Sequence, residues 1–260
     1  MFLPSKNDIK QLGYMVIEDF KRQYLGTALG GFWGVINPIV MTALYCLVFE
    51  LGLKAKADSG VNFSYWLMAG IIPYFYFSEA LGKGTSSFVE YGYLIKKMVF
   101  RFSFIPLFKI FSSFLIHLFF ILLVLGLSLF FGQKFNISFF GLCYFSFCLI
   151  ALVIPICYLT ASIQVFLRDV AQIVGIILQL LFWGTPIFWS SNIIPEKYMF
   201  INHVNPLFYI VDGYRNSFIW GKQLSVDSVG TMVFWCEVVC LSFISLFFYR
   251  RLSRHFTDAL

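Results

Sequence analysis

Six stretches of the chain are apolar for long enough to cross a lipid bilayer. A transmembrane helix needs about 20 mainly apolar residues, because each helical residue rises about 1.5 Å and the hydrocarbon core is about 30 Å thick. The apolar runs cover residues 32–51, 63–81, 104–131, 139–166, 170–189 and 229–249. The pattern therefore predicts six transmembrane helices, of which the third and fourth are long enough to require a tilt.

The segment before the first span is amphipathic. Over residues 8–25, apolar side chains recur at helical spacing and share one face, which carries Ile9, Leu12, Val16, Phe20 and Tyr24. Charged side chains occupy the other faces. A helix of this kind usually lies in the headgroup plane of a membrane. The alternative is a cytoplasmic helix that packs on the rest of the protein.

The loop between the fifth and sixth spans, residues 190–228, is too long for a simple turn. Its apolar patches at 198–201 and 207–211 are too short to span a bilayer. We expect short re-entrant helices in the outer leaflet here, because backbone polar groups at membrane depth must be paired. The whole pattern predicts an all-α integral membrane protein that forms one unit over residues 1–260.

The composition agrees with a chain whose main solvent is lipid. Hydrophobic residues make up 60% of the chain and charged residues only 12%, with a mean hydropathy of +0.82. A soluble domain is closer to half apolar and a quarter charged. A soluble enzyme, a nucleic-acid-binding module and a disordered scaffold are therefore excluded.

The basic residues orient the spans. With the N-terminus inside the cell, the cytoplasmic segments hold thirteen of the 19 Lys and Arg residues and the external segments hold six. Cytoplasmic loops of membrane proteins carry an excess of these residues. The prediction is a multi-pass protein with both termini in the cytoplasm, and the net charge of +6 requires no nucleic acid as a partner.

The sequence offers no catalytic or metal-binding pattern. Gly82, Lys83, Gly84 and Thr85 resemble part of a phosphate-binding loop, but Phe77 stands where the first glycine is needed. The six cysteines fall inside apolar stretches without a CxxC pair, which favours helix packing over metal ligation or a disulfide. We therefore expect no catalytic residue, no metal site and no ATPase on this chain.

Two ionisable residues lie near the middle of predicted spans, His117 in the third and Glu237 in the sixth. Such residues sometimes form a proton relay in a transporter. More often they are neutral or paired elements of helix packing. A proton-coupled carrier that uses these two residues stays open as an alternative at this point.

The fifth span carries a polar stripe at steps of three or four residues, consisting of Arg168, Gln172, Gly175, Gln179, Trp183 and Pro186. Residues at this spacing share one face of a helix. Glutamines inside lipid are costly unless they meet water, a substrate or another helix. The stripe fits either the lining of a transport path or hydrogen bonding between helices.

Several ordered motifs resemble those of a known family. They are the stretch 25–33 followed by Asn37-Pro38, the stretch 70–78, Leu94-Ile95-Lys96-Lys97, Phe166-Leu167-Arg168-Asp169, the stretch 182–187, Ile194-Pro195-Glu196 and Asn205-Pro206-Leu207. In this order they resemble the membrane subunit of type-2 ABC exporters, in the branch that exports O-antigen, capsular polysaccharide and teichoic acid. One departure is that Phe100 is followed by Arg101, where the family often has proline.

The resemblance implies an exporter that is powered by a separate subunit. A homodimer of this chain would bind two copies of a cytoplasmic ATPase in the bacterial inner membrane. ATP and Mg would bind that ATPase, and this chain would bind no cofactor. A lipid-linked polysaccharide, with O-antigen favoured over capsule or teichoic acid, would pass between the two membrane subunits. A membrane-embedded glycan enzyme would need clustered acids or histidines, which the sequence lacks.

The resemblance also assigns roles to individual residues. The expected channel lining is Trp33, Asn37, Tyr74, Gln172, Gln179 and Trp183. The expected contact with the ATPase lies in the segment 88–97, at Glu90, Tyr91, Tyr93, Leu94, Ile95 and Lys96. The expected external gate includes Pro195, Asn205, Pro206 and Arg215.

Overall fold

The computed structural model describes residues 6–24, 33–57, 61–97, 102–130, 137–193, 195, 197, 200, 204–221 and 228–260. Within these residues the chain is built from helices. We number the α-helices in chain order as α1 (Lys6–Tyr24), α2 (Trp33–Cys46), α3 (Phe63–Glu90), α4 (Gly92–Lys97), α5 (Phe104–Phe130), α6 (Phe139–Gln164), α7 (Val170–Gly184), α8 (Pro206–Ile219), α9 (Ser228–Leu252) and α10 (Phe256–Ala259). The helix α2 continues as a π-helical segment, Leu47–Gly52.

Four helical segments of the described residues are long and apolar enough to cross a membrane. They are Trp33–Gly52, Phe104–Ser128, Phe139–Gln164 and Val229–Ala259. These correspond to the first, third, fourth and sixth predicted spans. The chain is therefore a multi-pass, all-helical membrane protein.

The second predicted span belongs to α3, the central helix of the bundle. The predicted span 63–81 lies within this helix, which continues to Glu90 and is about 42 Å long at 1.5 Å per residue. Most of its side chains are buried against α5, α6, α7 and α8. Its hydroxyl and indole groups make it less hydropathic than the four spans. We call its two ends the α8 end, near Phe63, and the α1 end, near Glu90.

Only the first part of the fifth predicted span, 170–189, is helical. The helix α7 ends at Gly184 and spans about 22 Å, and the following Thr185 is extended. Thr185 precedes Pro186, and a residue before proline is driven out of the helical region by the proline ring. The segment 185–189 is therefore a bend that turns back onto the bundle.

Side-chain caps fix where three helices begin. The side chain of Asn62 accepts a hydrogen bond from the Tyr65 amide at the start of α3, and that of Ser138 accepts from Gly141 at the start of α6. At α8, Asn205 accepts from Leu207 and Pro206 occupies the first turn. Short polar residues are good N-caps because they pair amides that the helix leaves open.

Candidate functional site

The helix α7 packs on the bundle with one face and exposes a polar stripe and an apolar stripe on its other side. An inner stripe around the buried Val174 packs on the bundle. A polar outward stripe is exposed and carries Gln172, Gly175, Gln179 and Trp183. Beside it lies an equally exposed apolar stripe with Ile173, Ile176, Ile177 and Leu180. The predicted lining residues of α7 are therefore brought together on one accessible surface, although exposure alone does not set that surface apart from its apolar neighbour.

Tyr74 holds α7 in place from behind. It is 5% exposed, and its hydroxyl donates a hydrogen bond of 2.6 Å to the carbonyl of Leu178. Its ring also packs on Phe182 at 4.9 Å between centroids. The structure thus places Tyr74 under α7 as a positioning residue, away from the exposed polar stripe on which Gln172 and Gln179 lie.

The helix α2 stands beside α7 with little of its own surface covered. None of its residues is buried, and the predicted lining residues Trp33 and Asn37 are both exposed. Tyr45 connects the two helices, because its ring lies 5.6 Å from Phe182 and 4.9 Å from Phe188. Two adjoining helices therefore present open surfaces that contain the predicted lining residues other than Tyr74.

A buried arginine organises the α8 end of the bundle. Arg215 of α8 is 4% exposed and donates hydrogen bonds of 2.6 Å to the carbonyls of Pro186 and Ile187. Its guanidinium lies 3.5 Å from the centroid of the Trp66 ring. A planar cation with several donors suits this combination of carbonyls and an aromatic face.

Gly70 makes room for this arginine. A Cβ atom at position 70 would lie 2.7 Å from Arg215 Nη2 and 2.9 Å from Nε. Gly70 belongs to the stretch 70–78 that the sequence singled out. Its lack of a side chain is thus explained by the close approach of a guanidinium to the backbone of α3.

Two of the predicted gate residues, Asn205 and Arg215, bind the bend after α7, and Pro206 lies in the first turn of α8. The Asn205 side chain caps α8 and also donates a hydrogen bond of 3.0 Å to the Thr185 hydroxyl. Arg215 binds the two carbonyls that follow. Pro195 is exposed and takes no part in these hydrogen bonds. The bend and α8 are consequently tied into one structural element.

A buried ion pair fastens α1 to the opposite end of the bundle. Lys109 Nζ of α5 lies 2.8 Å from Asp19 Oδ1 and 2.9 Å from Glu90 Oε1. The Tyr91 hydroxyl donates to Asp19 Oδ1 at 3.0 Å, and the Lys109 ammonium lies 5.0 Å from the centroid of the Tyr91 ring. Burial and the nearby Asp19 carboxylate raise the pKa of Tyr91, so its phenol keeps the proton that it donates.

Gln23 extends this network along α1. Its amide donates to Asp19 Oδ2 at 2.7 Å and to the Ser112 hydroxyl at 3.2 Å. Its Oε1 accepts from Lys83 Nζ at 2.6 Å, and Lys83 also pairs with Glu79. The amphipathic helix is therefore packed on the protein through α3 and α5. Packing on the rest of the protein is the alternative that the sequence allowed to a helix lying in the headgroup plane.

The apolar face of α1 is narrower than its sequence pattern indicates. Phe20 packs against the main core, and Leu12 and Val16 pack against a smaller cluster at the α1 end. Ile9, assigned to the same face, is 58% exposed.

The predicted ATPase-contact residues divide into two groups. Tyr91 and Ile95 are each 7% exposed and are buried by the chain itself, in a cluster with Phe88, Phe108 and Phe256. Exposed members are Glu90, Tyr93 and Lys96, while the side chain of Leu94 lies outside the described residues. Sequence reasoning missed the short helix α10, which follows α9 and supplies Phe256 to this cluster.

His117 belongs to a packing network. Its Nε2 lies 2.7 Å from the Tyr214 hydroxyl, which is in turn 2.7 Å from the Ser146 hydroxyl. The Tyr76 ring lies 5.0 Å from the imidazole. Within the described residues no hydrogen bond or ion pair joins Glu237 to this group. The geometry therefore offers a structural role for His117, in joining α5, α6 and α8, and gives a proton relay to Glu237 no support.

Comparisons with known proteins agree with this architecture. A family model described as ABC-2 type transporter matches residues 10–219. Two proteins named O-antigen export system permease protein RfbA, both from Klebsiella pneumoniae, are each 25% identical over 244 residues, which is 94% of this chain and 92% of theirs. An RfbA from Myxococcus xanthus is 24% identical over 208 residues, or 78% of each chain.

Proposed function

The chain belongs to the ABC-2 type transporter family, and from this membership we propose that it is the channel-forming permease subunit of an ATP-driven exporter of a lipid-linked polysaccharide. The observation that carries the proposal is the alignment of 94% of the chain with O-antigen export permeases. O-antigen is accordingly the proposed cargo, with capsular polysaccharide and teichoic acid as alternatives moved by the same mechanism. The family membership confirms the resemblance that the sequence motifs indicated.

The proposed arrangement has six crossings of the bacterial inner membrane and both termini in the cytoplasm. The helices α3 and α7 would supply the two crossings beyond the four apolar spans. With this orientation, more Lys and Arg residues lie in the cytoplasmic segments than in the external ones, as is usual for membrane proteins. The helix α8, about 21 Å long and buried against α3 and α6, would re-enter from the outer side.

The transport path would lie between two copies of this chain. The exposed surfaces of α2 and α7 support this, because in a single chain their predicted lining residues are not buried by any other part of the protein. These residues are Trp33, Asn37, Gln172, Gln179 and Trp183. Amides and indoles satisfy the hydroxyls of a glycan while avoiding the cost of buried charge. The apolar stripe of α7 next to them would face lipid or the second copy.

Energy would come from a partner. Two copies of a cytoplasmic ATPase would hold ATP and Mg, and this chain would hold neither. The exposed Glu90, Tyr93 and Lys96 are the proposed contact surface. Tyr91 and Ile95 would act beneath it, since they connect this surface to α1 and to the C-terminal turn through the buried ion pair and the aromatic cluster.

Deletion of the gene tests the cargo. In cells, the lipid-linked O-antigen precursor should accumulate inside and disappear from the surface, and the wild-type gene should restore both. Normal surface O-antigen in the deletion strain would contradict the proposal. If capsule or teichoic acid disappears instead, the mechanism stands and the cargo changes.

Thiol labelling tests the path. In a cysteine-free background, Gln172→Cys and Gln179→Cys should react with a membrane-impermeant thiol reagent in at least one state of the transport cycle. Two controls are Ile173→Cys, which is exposed in the single chain but lies on the apolar stripe, and the buried Val174→Cys. Labelling of Ile173→Cys as fast as Gln179→Cys would remove the path from this stripe.

A further inference from the structure

A cavity of about 230 Å³ lies at the α8 end of α3, between α8 and the segment that follows the bend. It is separate from the polar stripe of α7. Both aromatic and polar side chains line it, among them Trp66, Ser190, Asn192, Asp212, Arg215 and Trp220. Small-molecule sites usually combine apolar walls with a few placed polar groups. Sites for drug-sized ligands measure about 300–1,000 Å³, so this cavity suits something smaller, of the size of a single ring.

The two tryptophans of the cavity differ in how much of the indole ring is exposed. Trp66 is 7% exposed, and one face of its ring is occupied by the Arg215 guanidinium. Trp220, which follows the end of α8, is 37% exposed. An indole with open surface in a cavity offers a flat apolar face on which the C–H groups of a sugar ring can lie. Of the two indoles, Trp220 is therefore the one with surface available to a ligand.

The polar groups favour a ligand that both donates and accepts hydrogen bonds. Asp212 supplies a carboxylate, which Asn216 orients through a hydrogen bond of 2.7 Å to Oδ2. Ser190 and Asn192 supply hydroxyl and amide groups. The outer nitrogens of Arg215 are already directed to the carbonyls of Pro186 and Ile187. The Asp212 carboxylate and the Arg215 guanidinium are the two charged groups of the lining and balance each other, so the cavity has no net charge and suits neutral hydroxyl groups.

We propose that this cavity is a sugar-binding subsite that holds one neutral pyranose ring of the exported glycan, stacked on Trp220 and hydrogen-bonded to Asp212. The inference rests on the proposed function, because it assumes that a glycan reaches the α8 end of the protein. It adds a site outside the path between the two copies. The ring would be held beside the bend after α7, which Arg215 and Asn205 tie to α8.

Binding to the purified protein tests this site. The full-length chain in lipid nanodiscs is titrated with O-polysaccharide released by mild acid from the lipopolysaccharide of the same strain, and binding is followed by saturation-transfer NMR. Trp220→Ala should weaken binding by about tenfold, while Trp220→Phe should stay within about threefold of wild type because it keeps a stacking face. Phe200→Ala is the control, since Phe200 is exposed in the same external region and does not line the cavity.

Two results would overturn the subsite. One is equal affinity in wild type and Trp220→Ala. The other is displacement of the polysaccharide by inorganic phosphate, which would make the cavity an anion site. Surface O-antigen is measured in the same strains to keep the two proposals apart. Export that survives deletion of the whole gene refutes the function, whereas gene-dependent export with unchanged binding in Trp220→Ala refutes only the subsite.

Discussion

Replacing Gly70 by alanine should destabilise the α8 end of the bundle, because the added methyl group has no space. The new Cβ would lie 2.7 Å from Arg215 Nη2 and 2.9 Å from its Nε. Contacts this short require one partner to move. The backbone of α3 is fixed by its neighbours on several sides, so the guanidinium would have to give way.

The cost follows from what holds the guanidinium. Moving it strains or breaks two hydrogen bonds of 2.6 Å to the carbonyls of Pro186 and Ile187 and disturbs its stacking on Trp66. Overpacking in a core typically costs about 1–3 kcal/mol, and a hydrogen bond to a charged group contributes about 1.5–3 kcal/mol. We expect a loss of about 3 kcal/mol, and hence a fall in the unfolding midpoint of about 6–12 °C.

The assay compares two glycines on the same helix. Gly82 of α3 is exposed, and a Cβ atom added there would meet nothing within 4 Å. Gly82→Ala should therefore raise stability by up to about 1 kcal/mol through helix propensity. Each purified full-length protein is heated in the same lipid–detergent mixture, and the fraction that stays monodisperse is measured by size-exclusion chromatography.

A double variant checks the cause. Arg215→Lys gives up part of the carbonyl pairing but empties the space beside position 70. In that background Gly70→Ala should cost at least about 1 kcal/mol less than in the wild type, a coupling that contacting residues commonly show. The reasoning is refuted if Gly70→Ala is as stable as Gly82→Ala, or if its cost is the same in both backgrounds.

Three further outcomes are expected. Asp19→Asn leaves the buried Lys109 ammonium with less compensating charge and should lower stability by about 3 kcal/mol. Glu18→Gln breaks an exposed pair with Lys21 and should cost under about 1 kcal/mol. Equal unfolding midpoints of the two variants would contradict the role of the buried pair. Tyr93→Asp should prevent co-purification of the partner ATPase and Tyr14→Asp, at another exposed tyrosine, should not; an intact complex with Tyr93→Asp would remove this contact. Glu237→Gln should keep surface O-antigen within about twofold of wild type, because glutamine retains the shape of a neutral carboxyl; loss of export in a well-inserted protein would favour proton coupling.

The length of the apolar runs in the sequence was enough to predict the four apolar spans. The helices of the four apolar spans begin and end within a few residues of the predicted positions, since a run of about 20 apolar residues has one good solution in lipid. The end of α7 was readable in principle, because Thr185 precedes a proline. The prediction ran past it to 189 because the residues beyond Pro186 are still apolar.

The pairings at the two ends of α3 could not be read from one sequence. Asp19 lies in the amphipathic segment and Lys109 near the start of the third predicted span, and their separation along the chain gives no sign that they pair. Arg215 and Gly70 are separated in the same way, so neither reveals that a guanidinium needs a glycine opposite. The burial of Tyr91 likewise depends on where the C-terminal turn folds back. Such contacts are set by tertiary packing, which local pattern does not encode.

Transport by the reconstituted complex tests the central claim most directly. The chain and its partner ATPase are placed in proteoliposomes that carry lipid-linked O-antigen, and the glycan on the far leaflet is measured with an impermeant lectin. We predict that delivery requires ATP and stops when the ATPase is inactivated by mutation, whether or not a proton gradient is present. Delivery driven by a proton gradient in the absence of ATP would contradict the account.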